Sequence, residues 1–247
     1  MSILNICIWN ANGVNQHKLE LIRFLTEKNI DVMLISETHL TNKNNFFIAG
    51  YRLHVTNHPD GKAHGGTAVL VRNRLNHHAL EPHATAQLQA TTISLKNRGS
   101  DLNLTAIYCP PRFKITDCEF KDFFGTLGPR FLAGGDYNAK HMYWGSRLIN
   151  PKGRQLYYTI INKHNNLDII SPGKPTYWPS DRNKIPDLID FAVVKNIDRS
   201  LITADTCTDL SSDHSPVLIK LCEQPMIVEP KVSLTTHKTN WLKYRKY

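Results

Sequence analysis

The apolar runs of this chain are short, and one after another they give way to an acid, an amide or a phenol. Asn10 follows Ile8-Trp9, Glu37 closes the run Met33-Leu34-Ile35, and Tyr108 follows Ile107. Asp136 and Asn138 follow Leu132-Ala133-Gly134-Gly135, Asp190 lies within Leu188-Ile189-Asp190-Phe191, and Asp213-His214 precede an apolar run over 217–221. Short continuous apolar runs bounded by turn-forming residues are buried strands. Polar groups at the ends of buried strands can converge on one edge of a sheet, a common place for a site.

The coarse element pattern is strand-rich. Strands are expected over 3–9, 31–38, 51–56, 66–71, 87–96, 101–108, 130–134, 168–170, 188–194 and 216–221. Helices are expected over 16–28, where Leu19, Ile22 and Leu25 recur at helical spacing, over 119–127, and over 153–164, where Leu156, Ile160 and Ile161 are apolar. Helices follow only some of the strands, which fits an α/β sandwich of mixed sheets better than a regular parallel sheet. After Cys222 the composition changes to proline, polar and basic-aromatic residues, so the expected division is a domain over 1–222 and a linker over 223–247.

No run approaches the ~18–20 apolar residues of a membrane span. The first ten residues lack the basic n-region of a secretory signal, which points to the cytosol or nucleus and to no membrane partner. Five cysteines, an odd number without a C-x-x-C pair, disfavour a disulfide framework or a zinc ribbon. The formal net charge is +9, and residues 140–200 carry 10 Lys/Arg against 5 Asp/Glu. A surface with that excess suits a polyanion, or serves solubility alone.

The strand-end residues have coherent chemistry. Glu37, Asp136 and Asp213 offer the hard oxygens that suit Mg²⁺. His214 can abstract or orient a proton near neutral pH, and Asp190 can fix its tautomer. Asn10, Asn138 and Tyr108 can hydrogen-bond phosphate oxygens or orient the carboxylates. Together these are the parts of metal-assisted phosphoester hydrolysis.

The motifs that carry these residues are "WNANG", "SETH", "IYCPP", "GGDYNAKH", "LIDF" and "SSDHSPV", in that order over about residues 3–221. In this combination the chain resembles the endonuclease/exonuclease/phosphatase superfamily. Within it, "GDYNAKHMYWGS", "NPKGRQL" and "SDHSPV" are most similar to the endonuclease domain of insect non-LTR retrotransposons of the Jockey-like group. The resemblance implies a four-layered α/β sandwich of two mixed β-sheets packed face to face with helices outside. It implies cleavage of one strand of a double-stranded DNA target with Mg²⁺, Mn²⁺ being a substitute, to leave a 3′-hydroxyl that primes reverse transcription. The implied partners are the element RNA and a reverse transcriptase domain downstream in the polyprotein, and the implied location is the nucleus, with the cytoplasm before import.

By motif matching, Glu37 would bind the metal with Asn10 nearby, and Asp136 would position or activate the attacking water. Asn138 and Tyr108 would contact the scissile phosphate. His214, paired with Asp190, would stabilise transition-state charge or act as base, and Asp213 would support the metal or His214. A phosphoesterase of the same superfamily, acting on a lipid or small phosphoester, is the alternative. Two departures from abasic-site enzymes stand out: Pro111 replaces the Asn of Tyr-x-Pro-Asn, and Asn12 stands where repair enzymes often carry Asp.

Several cations and aromatics lie near these motifs. Arg112, Lys140, His141, Arg147, Lys152 and Arg154 are expected either to face DNA phosphates or to form a solvated face. Tyr177, Trp178 and Arg182 lie in a loop-like stretch, where the aromatics either enter the minor groove or anchor the core. His54, His58 and His64 are expected at the surface, because Pro59-Asp60-Gly61 makes a turn rather than a helix.

Overall fold

Along the first strand, successive side chains enter two different apolar layers. Leu4, Ile6 and Ile8 join one core cluster while Cys7 and Trp9 join another, the period-2 alternation of a strand buried on both faces. Val32 and Leu34 against Met33 and Ile35 repeat the pattern. A strand with both faces apolar must sit between two packed layers, and this decides the architecture.

The computed structural model describes residues 2–228. In order its elements are β1 (Ser2–Asn10), α1 (Lys18–Glu27), β2 (Val32–Ser36), β3 (Tyr51–Thr56), β4 (Thr67–Arg72), β5 (His77–Ala79), β6 (His83–Ala84), β7 (Gln89–Leu95), β8 (Leu102–Tyr108), α2 (Asp117–Thr126), β9 (Phe131–Asp136), α3 (Pro151–Ile161), β10 (Leu167–Ile170), β11 (Asp190–Lys195), β12 (Ile202–Thr206) and β13 (Val217–Glu223). Among the described residues, one sheet has the order β12-β13-β1-β2-β4-β3 and the other the order β10-β11-β9-β8-β7-β5, with β6 also on β7. Both are mixed: β1 with β2 and β8 with β9 run parallel, the remaining pairs antiparallel.

The central core lies between the sheets, with Ile6, Ile8, Leu34 and Val69 from the first meeting Leu104, Ala106, Leu132 and Ala192 from the second. Leu21, Phe24 and Leu25 of α1 cover the outer face of the first sheet, and Phe120, Phe124, Leu156 and Ile160 of α2 and α3 cover the second. The result is the expected sandwich of helix, sheet, sheet and helix. Capping fixes where two of the helices start. Thr116 and Glu119 form a capping box on α2, and the Asn150 side chain accepts from Gly153 N ahead of Pro151 in the first turn of α3.

The structure corrects the helical faces read from spacing. Leu19 is 84% exposed and Ile22 39%, because it is Leu21, Phe24 and Leu25 that pack against the sheet, leaving Leu19 and Ile22 on the far side of α1. Ile161 is likewise exposed at the end of α3. At the end of β13 the chain goes on pairing: Asn76 N donates to Met226 O, Met226 N to Lys96 O and Val228 N to Arg74 O. Residues 229–247 of the expected linker lie outside the described residues.

Two glycines let the layers close beside the strand ends. A Cβ at Gly135 would lie 1.9 Å from the Ile107 carbonyl oxygen, which is backbone and cannot yield. One at Gly134 would meet the Ile8 side chain at 2.5 Å and Leu34 at 3.1 Å, contacts that rotamer shifts can relieve. Gly134→Ala is therefore expected to cost about 1–3 kcal/mol, and Gly135→Ala to exceed that range. Urea denaturation midpoints check this ordering, and equal losses would contradict it.

Candidate active site

Pairing register delivers the strand-end residues to a single edge. Asn10 of β1 is in register with Ser36 of β2, Tyr108 of β8 with Asp136 of β9, and Asp136 with Asp190 of β11. Ser36 then joins the two sheets, its hydroxyl donating to Ile107 O at 2.8 Å and accepting from Asp136 N at 3.2 Å. His214 arrives from the segment before β13. Trp9 Nε1 donates to its carbonyl at 3.2 Å, and the Ser212 hydroxyl, which donates to Asn10 O, accepts from its amide.

The side chains form a closed network. Asn10 Nδ2 donates to Glu37 Oε1 at 2.8 Å and to Asp136 Oδ2 at 3.0 Å, linking the two sheets through one amide. Asn138 donates twice to Asp136, from its backbone N to Oδ1 at 2.8 Å and from Nδ2 to Oδ2 at 2.9 Å. His214 Nδ1 lies 2.8 Å from Asp190 Oδ2, and both residues are buried. The Tyr108 phenol lies close enough to Glu37 to lower its pKa. Four non-glycine residues around this edge, Asn12, Glu37, His39 and Asn138, have φ between 43° and 54°. Left-handed backbone costs a non-glycine residue about 1–3 kcal/mol and persists where the surroundings enforce it, as at functional sites.

Burial and mutual charge set the protonation states. Asp136 is pushed up to about 8, first by burial and then by the Asp190 and Glu37 charges. Burial alone would lower His214, but Asp190, then Asp136 and Asp213, outweigh it and carry it up to about 10. Burial would raise Glu37, yet hydrogen bonds from His39, Asn10 and Tyr108 together hold it below the usual range. Burial and the adjoining Glu37 and Asp136 charges push the Tyr108 phenol far up, so it stays a donor.

The group fits a divalent cation. Asp136, Asp190 and His214 place polar atoms within 4.8 Å of one another, and because His214 is protonated and paired with Asp190, the carboxylates are the groups open to a cation. Asp190 Oδ1 is buried with no hydrogen-bond partner among the described residues. An unsatisfied buried acceptor costs about 1–3 kcal/mol, and a bound cation or its waters would remove that cost. Glu37 keeps 22% of its side chain exposed, which leaves a hard carboxylate facing the cleft.

Asp213 stands apart from that donor group: its Oδ1 accepts from Asn12 Nδ2 at 3.4 Å and Ser212 Oγ at 3.3 Å on the rim. Tyr177 packs its ring 4.9 Å from the His214 ring, and Trp178 is 48% exposed with Nε1 donating to Ser215 Oγ. Lys140, Arg147, Tyr177 and Lys184 line one groove, in which Lys140 Nζ pairs with the buried Asp187 at 3.1 Å. Arg154 and Arg182 are exposed, Arg112 lies over the Phe113 ring, and His141 stacks on Tyr157 at 4.1 Å.

Lys152 is a correction. It is buried, and its ammonium donates to Cys109 O at 3.0 Å and Pro110 O at 2.6 Å, so it holds the turn after Tyr108 and cannot reach a phosphate. His58, expected at the surface, is also buried. The sequence reading missed Ser36, Ser212 and Thr176. The first two sit inside the recognised motifs, whereas Thr176, whose hydroxyl accepts from both Ile189 N and Asp190 N, carries no sequence signal.

A family model described as the Endonuclease/Exonuclease/phosphatase family matches residues 7–214. The chain is 34% identical over 237 residues to the RNA-directed DNA polymerase from mobile element jockey of Drosophila melanogaster, which covers 96% of this chain and 26% of that protein. It thus spans about a quarter of that relative's length. The endonuclease domain of TRAS1, a telomere-specific non-LTR retrotransposon, matches with a TM-score of 0.73 at 20% identity, covering 90% of this chain and 100% of that one. The AP endonuclease LMAP from Leishmania major matches with a TM-score of 0.72 at 16% identity, covering 89% and 87%. These structures establish the shared sandwich fold.

The two amide hydrogen bonds to Thr176 hold Asp190 under His214. Thr176→Val strands two buried N–H groups and is expected to cost about 2–4 kcal/mol, at roughly 1–3 for each when packing relaxes in part. Thr176→Ser, which keeps the hydroxyl, should stay close to wild type. Denaturant unfolding checks this, and equal losses would contradict it.

Proposed function

The chain belongs to the endonuclease/exonuclease/phosphatase family, and we propose that it is the DNA-nicking endonuclease domain of a Jockey-like non-LTR retrotransposon. The observation that carries this reading is the buried His214–Asp190 pair set against Asp136, with Glu37 on the same edge. Likeness to a quarter of a mobile-element polymerase supports a reverse transcriptase domain and element RNA as partners. The net charge of +9 suits duplex DNA as substrate. On this reading the domain acts on chromosomal DNA in the nucleus after synthesis in the cytoplasm.

Glu37, with Asn10 and Asp136 beside it, would hold Mg²⁺ or a substituting Mn²⁺. The ion supplies positive charge to the phosphate oxygens. Asp136, held by three donors from Asn10 and Asn138, aims a carboxylate oxygen at the attacking water and accepts its proton. His214 keeps Nδ1–H on Asp190 and turns its other nitrogen, protonated at neutral pH, toward the charge that develops on phosphorus. As the water oxygen bonds to phosphorus the P–O3′ bond breaks to leave a 5′-phosphate, and the departing 3′-oxygen takes a proton from solvent water to become the 3′-hydroxyl that serves as primer. Tyr108 and Asn138 hold Glu37 and Asp136 in place beside the scissile phosphate. Tyr177 and exposed Trp178, with Arg147 and Arg182, provide the flanking DNA surface, and Arg112, Lys140, His141 and Arg154 extend it.

Supercoiled plasmid should convert to open circles only with Mg²⁺ or Mn²⁺, and the nicks should support primer extension. His214→Ala and Asp136→Asn should each slow nicking by about 10²–10⁴. Metal-independent or mutation-insensitive nicking would contradict the assignment, and turnover of small phosphoesters without nicking would move it to a phosphoesterase.

The pH profile tests the roles. The rate should rise as Asp136 ionises, at or below about 8 once a cation favours the carboxylate, and fall as His214 loses its proton at about 10. Asp190→Asn removes the charge that raises His214, so the alkaline limb should move down toward the ordinary histidine range. An alkaline limb that does not move would contradict the pairing.

A further inference from the structure

The loop between β3 and β4 carries a second group of metal-ligand side chains that the catalytic edge does not use. His58 Nδ1 lies 2.8 Å from Asp60 Oδ1, and His64 Nε2 lies 2.8 Å from Asp60 Oδ2. The three donor atoms lie within 4.8 Å of one another, and the two imidazole centroids are 3.9 Å apart. His58 is buried, whereas the Asp60 and His64 side chains are 40% and 42% exposed. The group is therefore anchored on one side and open to solvent on the other.

We propose that His58, Asp60 and His64 form a binding site for a zinc-class divalent cation, separate from the catalytic centre. Two imidazoles and one carboxylate suit Zn²⁺, Co²⁺ or Ni²⁺ rather than Mg²⁺ or Ca²⁺, which prefer oxygen throughout. Tetrahedral bonds of about 2.0–2.2 Å place donors about 3.3–3.6 Å apart; here the two imidazole nitrogens approach different oxygens of the Asp60 carboxylate at 2.8 Å, so a cation would turn that carboxylate and draw the donors slightly apart.

The hydrogen bonding within the group also accommodates a cation. The Asp60 backbone N–H donates to His58 Nδ1 at 3.3 Å, which requires a lone pair on that nitrogen. With that lone pair in place, Nδ1 and Asp60 Oδ1 face each other at 2.8 Å as two acceptors, a contact that either a proton on Nδ1 or a cation between them satisfies. Asp60 Oδ1 also accepts from Lys62 N at 2.9 Å, which fixes the carboxylate.

The loop ends on the backbone that carries the catalytic edge. His39 N donates to Gly65 O at 3.0 Å and Thr38 N to Gly66 O at 3.3 Å, directly after Glu37. His58 Cδ2 and Tyr108 Cε1 both lie 3.4 Å from the position a Cβ would take at Gly65. A cation here braces the loop against Glu37 and Tyr108, a positioning role.

Co²⁺ titration of the full chain, followed by visible absorption, tests the site. Wild type and Glu37→Gln should both bind one equivalent with imidazole-type bands, and His64→Ala and Asp60→Asn should each weaken that equivalent at least tenfold. Because His64 is exposed, metal-free His64→Ala should unfold at the wild-type temperature, while Zn²⁺ should raise the midpoint of Glu37→Gln, in which the catalytic metal position is disabled, more than that of Glu37→Gln/His64→Ala. An undiminished imidazole-type Co²⁺ equivalent in His64→Ala, or loss of that equivalent in Glu37→Gln, would overturn the proposal. Neither result depends on nuclease activity.

Discussion

Asp136 and Asp190 face each other across an antiparallel pair of strands, both buried, where two ionised carboxylates repel strongly. The arrangement survives because His214 sits against Asp190 and brings the compensating positive charge. Removing one partner of such a group strands an uncompensated buried charge, at about 3–5 kcal/mol. The surrounding structure serves this balance. Thr176 fixes the backbone under Asp190, Trp9 and Ser212 fix that of His214, and Asn10 and Asn138 saturate Asp136.

The sandwich brings these groups together with few long-range devices. Gly134 and Gly135 let the sheets and their strands approach where β9 ends, and the Ser36 hydroxyl joins one sheet to the other at the same level. Asn10, on the first sheet, then reaches both Glu37 on its own sheet and Asp136 on the other. Strain in the backbone at Glu37 and Asn138 is sustained by this packing. The remote loop that begins at His58 connects to the same turn through Gly65 and Gly66, so its order bears on Glu37.

Much of the catalytic edge was legible in the sequence because buried strands are continuously apolar, and a polar residue at their ends stands out. Asn10, Glu37, Asp136, Asp190 and His214 all show that contrast. Face and depth were less legible. Leu19, Ile22 and Leu25 satisfy helical spacing as well as Leu21, Phe24 and Leu25 do, and only the packing of the helix on the sheet distinguishes them. Lys152 reads as a phosphate ligand by its place in the chain, yet two carbonyls bury its ammonium. β5, β6 and β12 passed unread because they are short or half exposed and carry histidines and small polar residues. Thr176 acts through its hydroxyl on a backbone that pairing brings to it from a distant stretch of chain, which composition cannot reveal.

The central claim is that His214 is an imidazolium, held by Asp190, while Asp136 supplies the base. Nitrogen-15 NMR of the imidazole in the metal-free protein reads this state directly. Both His214 nitrogens should remain protonated from neutral pH until about 10. A neutral His214 ring at pH 7 would contradict the account and pass the role of base to the histidine.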